Sequence, residues 1–140
     1  LNTVGVNHAV FGDIDLIAHR QWEEMVCAQA GMQAILPLWG ENRLTLVHEF
    51  LDAGFKAIVT CVDGRYLDQS FAGREFDKQF INDLPANVDA CGENGEFHTF
   101  VFDGPNFAHP VPFKSIGKQT YNSPPEYGSL TYYFDLLDVK

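Results

Sequence analysis

The stretch GENGEFHTFVFDGP, residues 92–105, decides how the second half of the chain is expected to fold. Asn94-Gly95 favours a type I′ hairpin turn, because both central residues of that turn need a positive φ. In such a hairpin Glu93 and Glu96 would flank the turn, and two facing carboxylates repel each other unless a cation or a hydrogen-bond donor lies between them. The stretch therefore predicts a hairpin with a binding site at its turn; a solvated hairpin tip is the alternative.

The residues that follow the turn alternate between apolar and polar side chains, as strands with one buried face do. The twelve Phe and five Tyr residues of the chain fall mostly in this second half. Turns that contain Gly or Pro separate three such segments. We predict an antiparallel sheet with strands at residues 96–103, 111–121 and 130–137.

Three further elements are predicted before this sheet. Residues 42–53 have the apolar spacing of an amphipathic helix, and residues 55–62 form an apolar strand. Residues 65–84 predict a pair of helices that breaks at Gly73 and ends before Pro85.

The first 40 residues predict a strand, a helix and a second strand. A Gly-containing loop leads into a short apolar strand within residues 4–13, of the kind that is buried on both faces of a parallel sheet. Asp15 is predicted to cap a helix that ends near residue 30, with Gly31 as its stop, and residues 32–38 form the next strand. The apolar positions of the helix include Leu16, Trp22, Val26 and Cys27. This β-α-β unit is a fragment of an α/β fold, so we expect the native chain to extend upstream of Leu1.

Composition excludes several classes of function. Nine Lys and Arg residues against nineteen Asp and Glu residues give a formal charge of -10, which repels a phosphate backbone and argues against nucleic-acid binding. No apolar run approaches the roughly 20 residues that span a bilayer, and no signal peptide opens the chain, so we predict no membrane partner and a cytoplasmic location. Cys27, Cys61 and Cys91 match no zinc or disulfide pattern and are expected to be reduced, buried thiols.

Four motifs occur in one order along the chain. They are Gly12-Asp13-Ile14, Glu24 with Val26-Cys27, Pro37-Leu38-Trp39, and the segment GENGEFHT at residues 92–99. In this order the chain resembles the diphthine–ammonia ligases and their bacterial relatives, a branch of the PP-loop (N-type) ATP pyrophosphatases, and it looks more like the bacterial branch. Two departures stand out. The Ser-Gly-Gly-Lys-Asp-Ser phosphate loop of the family is absent, and Trp22 stands where many relatives carry an arginine, for which Arg20 can substitute.

The resemblance implies an α/β fold class in two parts. Residues 1–40 would be the last β-α-β piece of a Rossmann-like nucleotide-binding domain. Residues 41–140 would be a small α+β substrate-binding domain with an antiparallel sheet, and the active cleft would lie between the two parts. Since the phosphate loop is absent, the resemblance implies the C-terminal portion of a longer enzyme, inactive on its own.

The activity that the resemblance implies is ATP-dependent amide formation. In the family a carboxylate attacks the α-phosphorus of ATP, pyrophosphate leaves, and ammonia then displaces AMP. ATP and Mg²⁺ are the implied cofactors, and the implied partners are ammonia and a small-molecule or protein carboxylate acceptor. A non-catalytic module that binds a small molecule or a partner is the alternative function, and a metal-dependent hydrolase is a third. The sheet edge of a truncated α/β domain favours a homo-oligomer.

The resemblance and the residue chemistry together predict three groups of site residues. The predicted catalytic residues are Glu93, Glu96 and His98; the substrate-binding residues are Gly92, Asn94, Gly95 and Thr99; and the nucleotide-binding residues are Gly12, Asp13, Ile14 and Glu24. Glu93 and Glu96 suit Mg²⁺ binding, orientation of ammonia or general-base catalysis. On a regular strand His98 shares the face of Glu96 and can shuttle protons, whereas Thr99 faces away. A hydrogen-bonded structural histidine is the alternative for His98.

Several of these residues have a structural alternative. Asp13 or Asp15 can simply cap the following helix, and Glu24 can be a surface charge. Arg65 and Arg74 suit phosphate contacts, yet isolated arginines are more often members of surface ion pairs. A mixed transition-metal site is a minor alternative, for which five residues have suitable ligand types: Glu93, Glu96, His98, Asp103 and His109. Their spacing matches no zinc signature, so none of them is assigned as a metal ligand.

Overall fold

The computed structural model describes residues 5–140, so the expectations for Leu1 and Val4 lie outside the described residues. The chain forms two compact units, the first reaching to Arg43 and the second covering Leu44–Lys140. Each unit has a sheet of its own, a small parallel one in the first and a larger antiparallel one in the second.

The first unit is a β-α-β element, as the sequence predicts. Strand β1 (His8–Val10) leads to helix α1 (Ile17–Gln29) and then to strand β2 (Gln33–Ile35). The two strands pair in parallel. Gly31 follows the helix with a φ of 68°, a conformation that ends the helix as expected.

Two expectations for the first unit are wrong. Strand β1 is not buried on both faces, since Val10 is 68% exposed; within the described part of the chain its sheet has two strands, too few to cover it. Asp15 does not cap α1, because the N-cap residue is Leu16 and no side chain caps the helix. The Asp15 carboxylate instead accepts hydrogen bonds from the guanidinium of Arg43.

The buried stripe of α1 also differs from the predicted one. Trp22 is 59% exposed, whereas the buried residues of the helix are Glu23 and Cys27. Buried and half-buried positions recur at 16, 20, 23 and 27, and these steps of four and three place them on one helix face. The stripe therefore includes a glutamate that the apolar pattern did not reveal.

The second unit is built on a four-stranded antiparallel sheet with the order β4-β3-β6-β5. Its elements are α2 (Arg43–Asp52), which begins at the last residue of the first unit, β3 (Lys56–Asp63), α3 (Lys78–Asp83), β4 (Phe97–Asp103), β5 (Phe113–Asn122), a 3₁₀ turn (Pro125–Tyr127) and β6 (Thr131–Val139). The predicted amphipathic helix and the four predicted strands of this half are confirmed, with small shifts at their ends.

The core of the second unit forms around β3. Its members are Val47, Ala57, Val59, Val62, Leu67, Ala72, Phe76, Phe80 and Phe97. The rings of Phe80 and Phe97 meet edge to face with centroids 5.3 Å apart, a favourable arrangement for aromatic pairs. Phe97, the first residue of β4, thereby anchors this strand in the core.

The predicted helical pair at residues 65–84 is wrong in its first half. Residues 65–77 form turns, and α3 alone follows, capped by the Asp77 side chain, which accepts a hydrogen bond from Phe80 N at 2.7 Å. The turns pair with β3: Gly73 N donates to the carbonyl of Val59, and another backbone bond follows from Phe76 to Ala57. Backbone groups that bond to a strand are not available to a helix, so the sheet prevails over the local pattern.

Cys27 and Cys61 are buried thiols, as predicted, whereas Cys91 is half-buried. Over residues 5–140 no helix has the length and apolar character needed to cross a bilayer.

Candidate functional site

The type I′ hairpin predicted at Asn94-Gly95 is not formed. Gly95 has a φ of 81°, but Asn94 lacks the positive φ that the turn requires. Residues 84–96 form turns and bends rather than an incoming strand. Residues 89–96, which we call the acidic loop, lead directly into β4, and a bond from Gly95 N to Gly92 O at 3.0 Å closes the turn within the loop.

Glu96 holds the acidic loop together from inside. Its carboxylate is 1% exposed and accepts hydrogen bonds from Asp89 N at 3.1 Å, from Asn94 N at 3.0 Å and from the Asn94 side-chain amide at 3.0 Å. Burial by itself opposes ionisation, but the hydrogen bonds from Asn94 and Asp89 outweigh it and lower the pKa of the Glu96 carboxyl. Glu96 is therefore ionised at neutral pH, with both oxygens engaged.

Asp89 adds a second carboxylate clamp to the same loop. It accepts hydrogen bonds from Glu93 N at 2.9 Å and from Cys91 N at 3.3 Å. Gly92 lies against the core, since a Cβ placed on it would come within 3.0 Å of Phe97 O. The loop is thus ordered by side-chain to backbone bonds that replace the missing hairpin ladder.

The three predicted catalytic residues differ in their exposure to solvent. Glu93 is half-buried in the acidic loop, and His98 is exposed at the start of β4. Glu96 and His98 do not lie on one regular strand as expected, because β4 begins at Phe97 and the buried Glu96 side chain turns back into the loop, whereas His98 is exposed. His98 and Thr99 are both exposed, and β3 carries one extra residue, Thr60, opposite this pair.

The remaining ligand-type residues of this half are engaged elsewhere or lie apart. Asp103 accepts a hydrogen bond from Lys56 Nζ at 2.9 Å. Arg65 and Arg74 form ion pairs, with Asp63 and Asp83 respectively. Among residues 5–140 no three His, Cys, Asp or Glu side chains are grouped so that they could hold a metal ion.

In the first unit, the predicted nucleotide-binding residues have different environments. Gly12 is exposed and Ile14 is buried. Glu24 is exposed and forms an ion pair with Arg20 at 2.7 Å, whose guanidinium also lies 4.8 Å from the centre of the Trp39 ring. Asp13, which is half-buried, accepts a hydrogen bond from His19 Nδ1 at 2.7 Å.

The residue that sequence reasoning missed is Glu23, the neighbour of Glu24. It is 5% exposed, and its Oε2 atom has no hydrogen-bond partner in the described structure. Burial, and then the nearby Asp13 carboxylate, raise the pKa of the Glu23 carboxyl. Counting back from Cys27 in steps of four and three along one helix face would have identified it.

Glu23 borders a half-open cavity on the surface of the first unit. The cavity has a volume of about 350 Å³ and is lined by Ala18, His19, Trp22 and Glu23. Its wall therefore combines an imidazole, an indole ring and a carboxylate. The indole ring is the largest apolar surface of this wall, and the carboxyl of Glu23 lies almost fully buried behind it.

Residues 42–124 match the family model described as the diphthamide synthase C-terminal domain. This segment contains α2, β3, the acidic loop, β4 and β5. The cavity of the first unit lies outside it.

Among curated proteins, the chain is similar to diphthine–ammonia ligases. The protein of Bos taurus is 32% identical over 105 residues, which cover 71% of this chain and 39% of the relative. The protein of Danio rerio is 32% identical over 96 residues, or 63% of this chain and 36% of the relative. The protein of Schizosaccharomyces pombe is 28% identical over 88 residues, or 60% and 14%. The matches thus extend over less than two fifths of the length of these relatives.

Proposed function

Because the chain belongs to the diphthamide synthase C-terminal domain family, we propose that it is the C-terminal portion of an ATP-dependent amide-forming ligase related to the diphthine–ammonia ligases. The reaction joins ammonia to a carboxylate while ATP is cleaved to AMP and pyrophosphate, and one carboxylate oxygen leaves with AMP. The observation that supports this most directly is that the family match includes the acidic loop. We also propose that this enzyme is of the bacterial type and is cytoplasmic.

In this proposal the two parts of the chain have separate tasks. Residues 1–40 are the last piece of a Rossmann-like nucleotide-binding domain, and residues 41–140 bind the carboxylate acceptor. The parallel pairing of β1 and β2 supports the first assignment, because parallel β-α-β units are the building blocks of such domains.

The predicted nucleotide-binding residues do not fit the phosphates of ATP, and residues 5–140 do not offer a ligand set for a Mg²⁺ ion. Ile14 is buried, and Asp13 and Glu24 are acids, which repel phosphate groups. In the described residues no group of three acidic or histidine side chains is placed to hold a metal. We therefore assign the triphosphate and its Mg²⁺ to a part of the ligase other than this chain, and only the acceptor and ammonia to it.

We propose that the acidic loop presents the acceptor site. Glu93 and His98 are its catalytic residues, because both are at least partly accessible and carry side chains of the kind that serve as general bases or hydrogen-bond partners for ammonia. Asn94, Gly95 and Thr99 are exposed beside them and contact the acceptor, with Gly92 shaping the turn. Glu96 acts as a positioning residue, since both of its oxygens are engaged within the loop.

The test uses the longest native protein that contains this chain. AMP release is measured with ammonia and a diphthine-bearing or small-molecule carboxylate acceptor, and the acceptor is checked for loss of one negative charge. We expect AMP only when both are present, and a fall in kcat of about 10²-fold for His98→Gln. Glu96→Gln is expected to raise KM for the acceptor as well, because it loosens the loop. Glu49→Gln, an exposed change on α2, is the control.

Two results would contradict the proposal. One is AMP release that does not depend on a carboxylate acceptor. The other is acceptor binding by the native protein with no AMP formed under any condition, which would support the non-catalytic binding module instead.

A further inference from the structure

Arg65 and Asp63 form an ion pair whose two side chains have very different environments. The Asp63 side chain is 1% exposed, whereas that of Arg65 is 52% exposed. Nε of Arg65 donates to both carboxylate oxygens, at 3.1 and 3.0 Å, and Nη2 donates to Oδ2. The guanidinium therefore meets Asp63 side-on, through the edge that carries Nε and Nη2, and its plane is fixed by a carboxylate that water scarcely reaches.

The opposite edge of the same guanidinium has donors to offer. Within residues 5–140 its hydrogen bonds use Nε and Nη2 and leave Nη1 unengaged, and Nη2 has a second N–H besides the one that Asp63 accepts. One N–H of Nη1 and the second N–H of Nη2 point the same way, which is the geometry that binds both oxygens of an oxyanion. Because the side chain is half exposed, an anion from solvent can reach this edge.

The sheet places the ion pair beside the acidic loop. Asp63 is the last residue of β3, and its backbone N–H donates to the carbonyl of Glu96, the last residue of the loop, at 2.9 Å. His98 lies directly opposite Cys61, so these two residues share a face of the sheet. Asp63 is two residues beyond Cys61 on β3 and lies on that face too, at a diagonal distance from His98 of about 7–8 Å between Cα atoms.

The charge of the acidic loop gives a neighbouring cation a function. The loop contains three acidic side chains: Asp89, Glu93 and Glu96. They repel the carboxylate of an acceptor that binds there, unless a cation offsets them. Lys56 lies at the far end of β3 and pairs with Asp103, whereas Arg65 follows the end of β3 that adjoins the loop.

Burial of Asp63 serves the orientation of Arg65 more than the stability of the fold. Burial opposes ionisation of Asp63, but the hydrogen bonds from Arg65 outweigh it and lower the pKa of the carboxyl. Desolvation of a buried carboxylate offsets much of the attraction that such a pair gains. What the arrangement supplies is a guanidinium held in one orientation at the surface.

Arg74 is a structural arginine in the same unit and provides the contrast. Its side chain is 28% exposed and pairs with Asp83. Its guanidinium lies 5.1 Å from the centre of the Phe71 ring and 5.4 Å from that of Phe80. Arg74 is therefore covered by aromatic rings where Arg65 is open to solvent.

We propose that Arg65, oriented by Asp63, binds the carboxylate of the acceptor end-on through Nη1 and Nη2, on the side of the sheet where His98 lies. The identity of the anion as the acceptor carboxylate rests on the proposed function, whereas anion binding by this edge does not. The amide formed at the end of the reaction carries no charge. Arg65 thus holds the substrate more tightly than the product, which favours release of the product.

Nitrogen-15 signals of the arginine side chains test the binding directly. The longest native protein that contains this chain is labelled in its arginines, and Arg65→Lys assigns the Arg65 signal by its absence. The protein is titrated with sodium acetate at constant pH and ionic strength. Acetamide, which has nearly the same shape without the charge, represents the amide product, and sodium phosphate tests for a phosphate site.

We expect acetate to shift the Arg65 signal saturably, acetamide to leave it unchanged, and the Arg74 signal to respond to neither. A response of Arg65 to both acetate and phosphate also supports an oxyanion site. The KM for the acceptor then tests the assignment to a carboxylate.

Kinetics of the native ligase supply the second test. Arg65→Lys keeps a positive charge beside Asp63 but loses the fork of parallel N–H donors. We expect the KM for the acceptor to rise about tenfold, with the KM for ammonia unchanged. Arg74→Lys is the matched control, the same replacement at an arginine covered by rings, and should leave the KM for the acceptor unchanged.

Three results would overturn the proposal. The first is a response of the Arg65 signal that is absent with acetate or equal with acetate and acetamide. The second is a response to phosphate without one to acetate, which would make this edge a phosphate site. The third is an unchanged KM for the acceptor in Arg65→Lys.

The two tests together separate this failure from failure of the proposed function. If the native ligase forms AMP and Arg65→Lys leaves the KM for the acceptor unchanged, the ligase assignment stands and the role of Arg65 is overturned. If acetate binds at Arg65 but no AMP forms under any condition, the anion site stands and the ligase assignment fails.

Discussion

Glu96 in the acidic loop and Glu23 on α1 are both almost fully buried, with exposed fractions of 1% and 5%. The loop directs two backbone N–H groups and a side-chain amide at Glu96, whereas Glu23 keeps an oxygen without a partner in the described structure. The reason is local. Residues within a helix use their backbone N–H groups in the helix itself, while an irregular loop has N–H groups to spare.

The comparison teaches that burial alone does not identify a functional acid. The pKa of Glu96 is lowered because its hydrogen bonds outweigh its burial, and the pKa of Glu23 is raised because burial and Asp13 act together. A carboxylate with every acceptor site filled serves the fold. A buried carboxylate with an oxygen that lacks a donor has a destabilised ionised form, and its pKa rises for that reason.

The largest expected effect on stability follows from loss of the hydrogen bonds that the Glu96 carboxylate accepts. Glu96→Gln replaces an acceptor oxygen with an amide that faces N–H donors, and we expect the second unit to lose about 2–3 kcal/mol of stability, as for a buried charge-assisted bond. All five tyrosines lie in the second unit, so tyrosine near-ultraviolet circular dichroism during urea unfolding reports on it. Glu49→Gln is the control. If Glu96→Gln and Glu49→Gln have equal free energies of unfolding, the hydrogen bonds of Glu96 do not stabilise the second unit.

The second prediction is that the two units respond to pH in opposite directions. The pKa of Glu96 lies below its usual 4.5, and the pKa of Asp63 is held below its usual 3.8 by Arg65 despite burial. Groups with lowered pKa values contribute stability above their unfolded values, and that stability is lost as pH falls through the folded ones. The second unit should therefore weaken below about pH 4.5.

For the first unit the sign is reversed. The pKa of Glu23 is raised above 4.5, so its contribution is fully present below that value and is lost as pH rises through the folded pKa. Urea unfolding followed by tryptophan fluorescence should show the first unit losing stability as pH increases from about 4.5. Parallel pH profiles for the tryptophan and tyrosine signals would contradict both predictions.

A smaller effect is expected when the charge on Glu23 is removed. Glu23→Gln should stabilise the first unit at pH 7 by about 1 kcal/mol, because the neutral side chain relieves burial of charge beside Asp13. The thermal transition of the tryptophan signal measures it. A destabilised variant would show that Glu23 is held by contacts that support the fold, as Glu96 is.

The smallest expected effect belongs to the neighbouring surface acid. Glu24→Gln breaks an exposed ion pair with Arg20, four residues earlier on α1, and such pairs contribute about 0.3–0.5 kcal/mol. The same tryptophan transition applies, with sodium chloride added to test whether the difference disappears. If Glu24→Gln changed the stability of the first unit more than Glu23→Gln does, the expectation that the buried acid matters more than the exposed one would be contradicted.

The sequence was sufficient to predict helices and strands where the local signals agree with one another. The period of α2, the alternation of β4, β5 and β6, and Gly31 after α1 each reflect short-range physics, and the structure has these elements where they were predicted. It was not sufficient at residues 65–77, where a helical pattern gives way to bonds with β3. These competing hydrogen bonds can be recognised only when the partner strand is in place.

The candidate site shows the same division. The motif at residues 92–99 and its family were recognised from the sequence, and the match over residues 42–124 confirms the family. Sequence alone did not reveal that Glu96 turns back to bind its own loop, nor that Glu23 rather than Glu24 faces inward. Residue type and spacing determine which elements and which family a chain has, because those depend on neighbours along the chain. The tertiary structure decides which buried oxygens find donors, because the donors come from whatever the fold brings near.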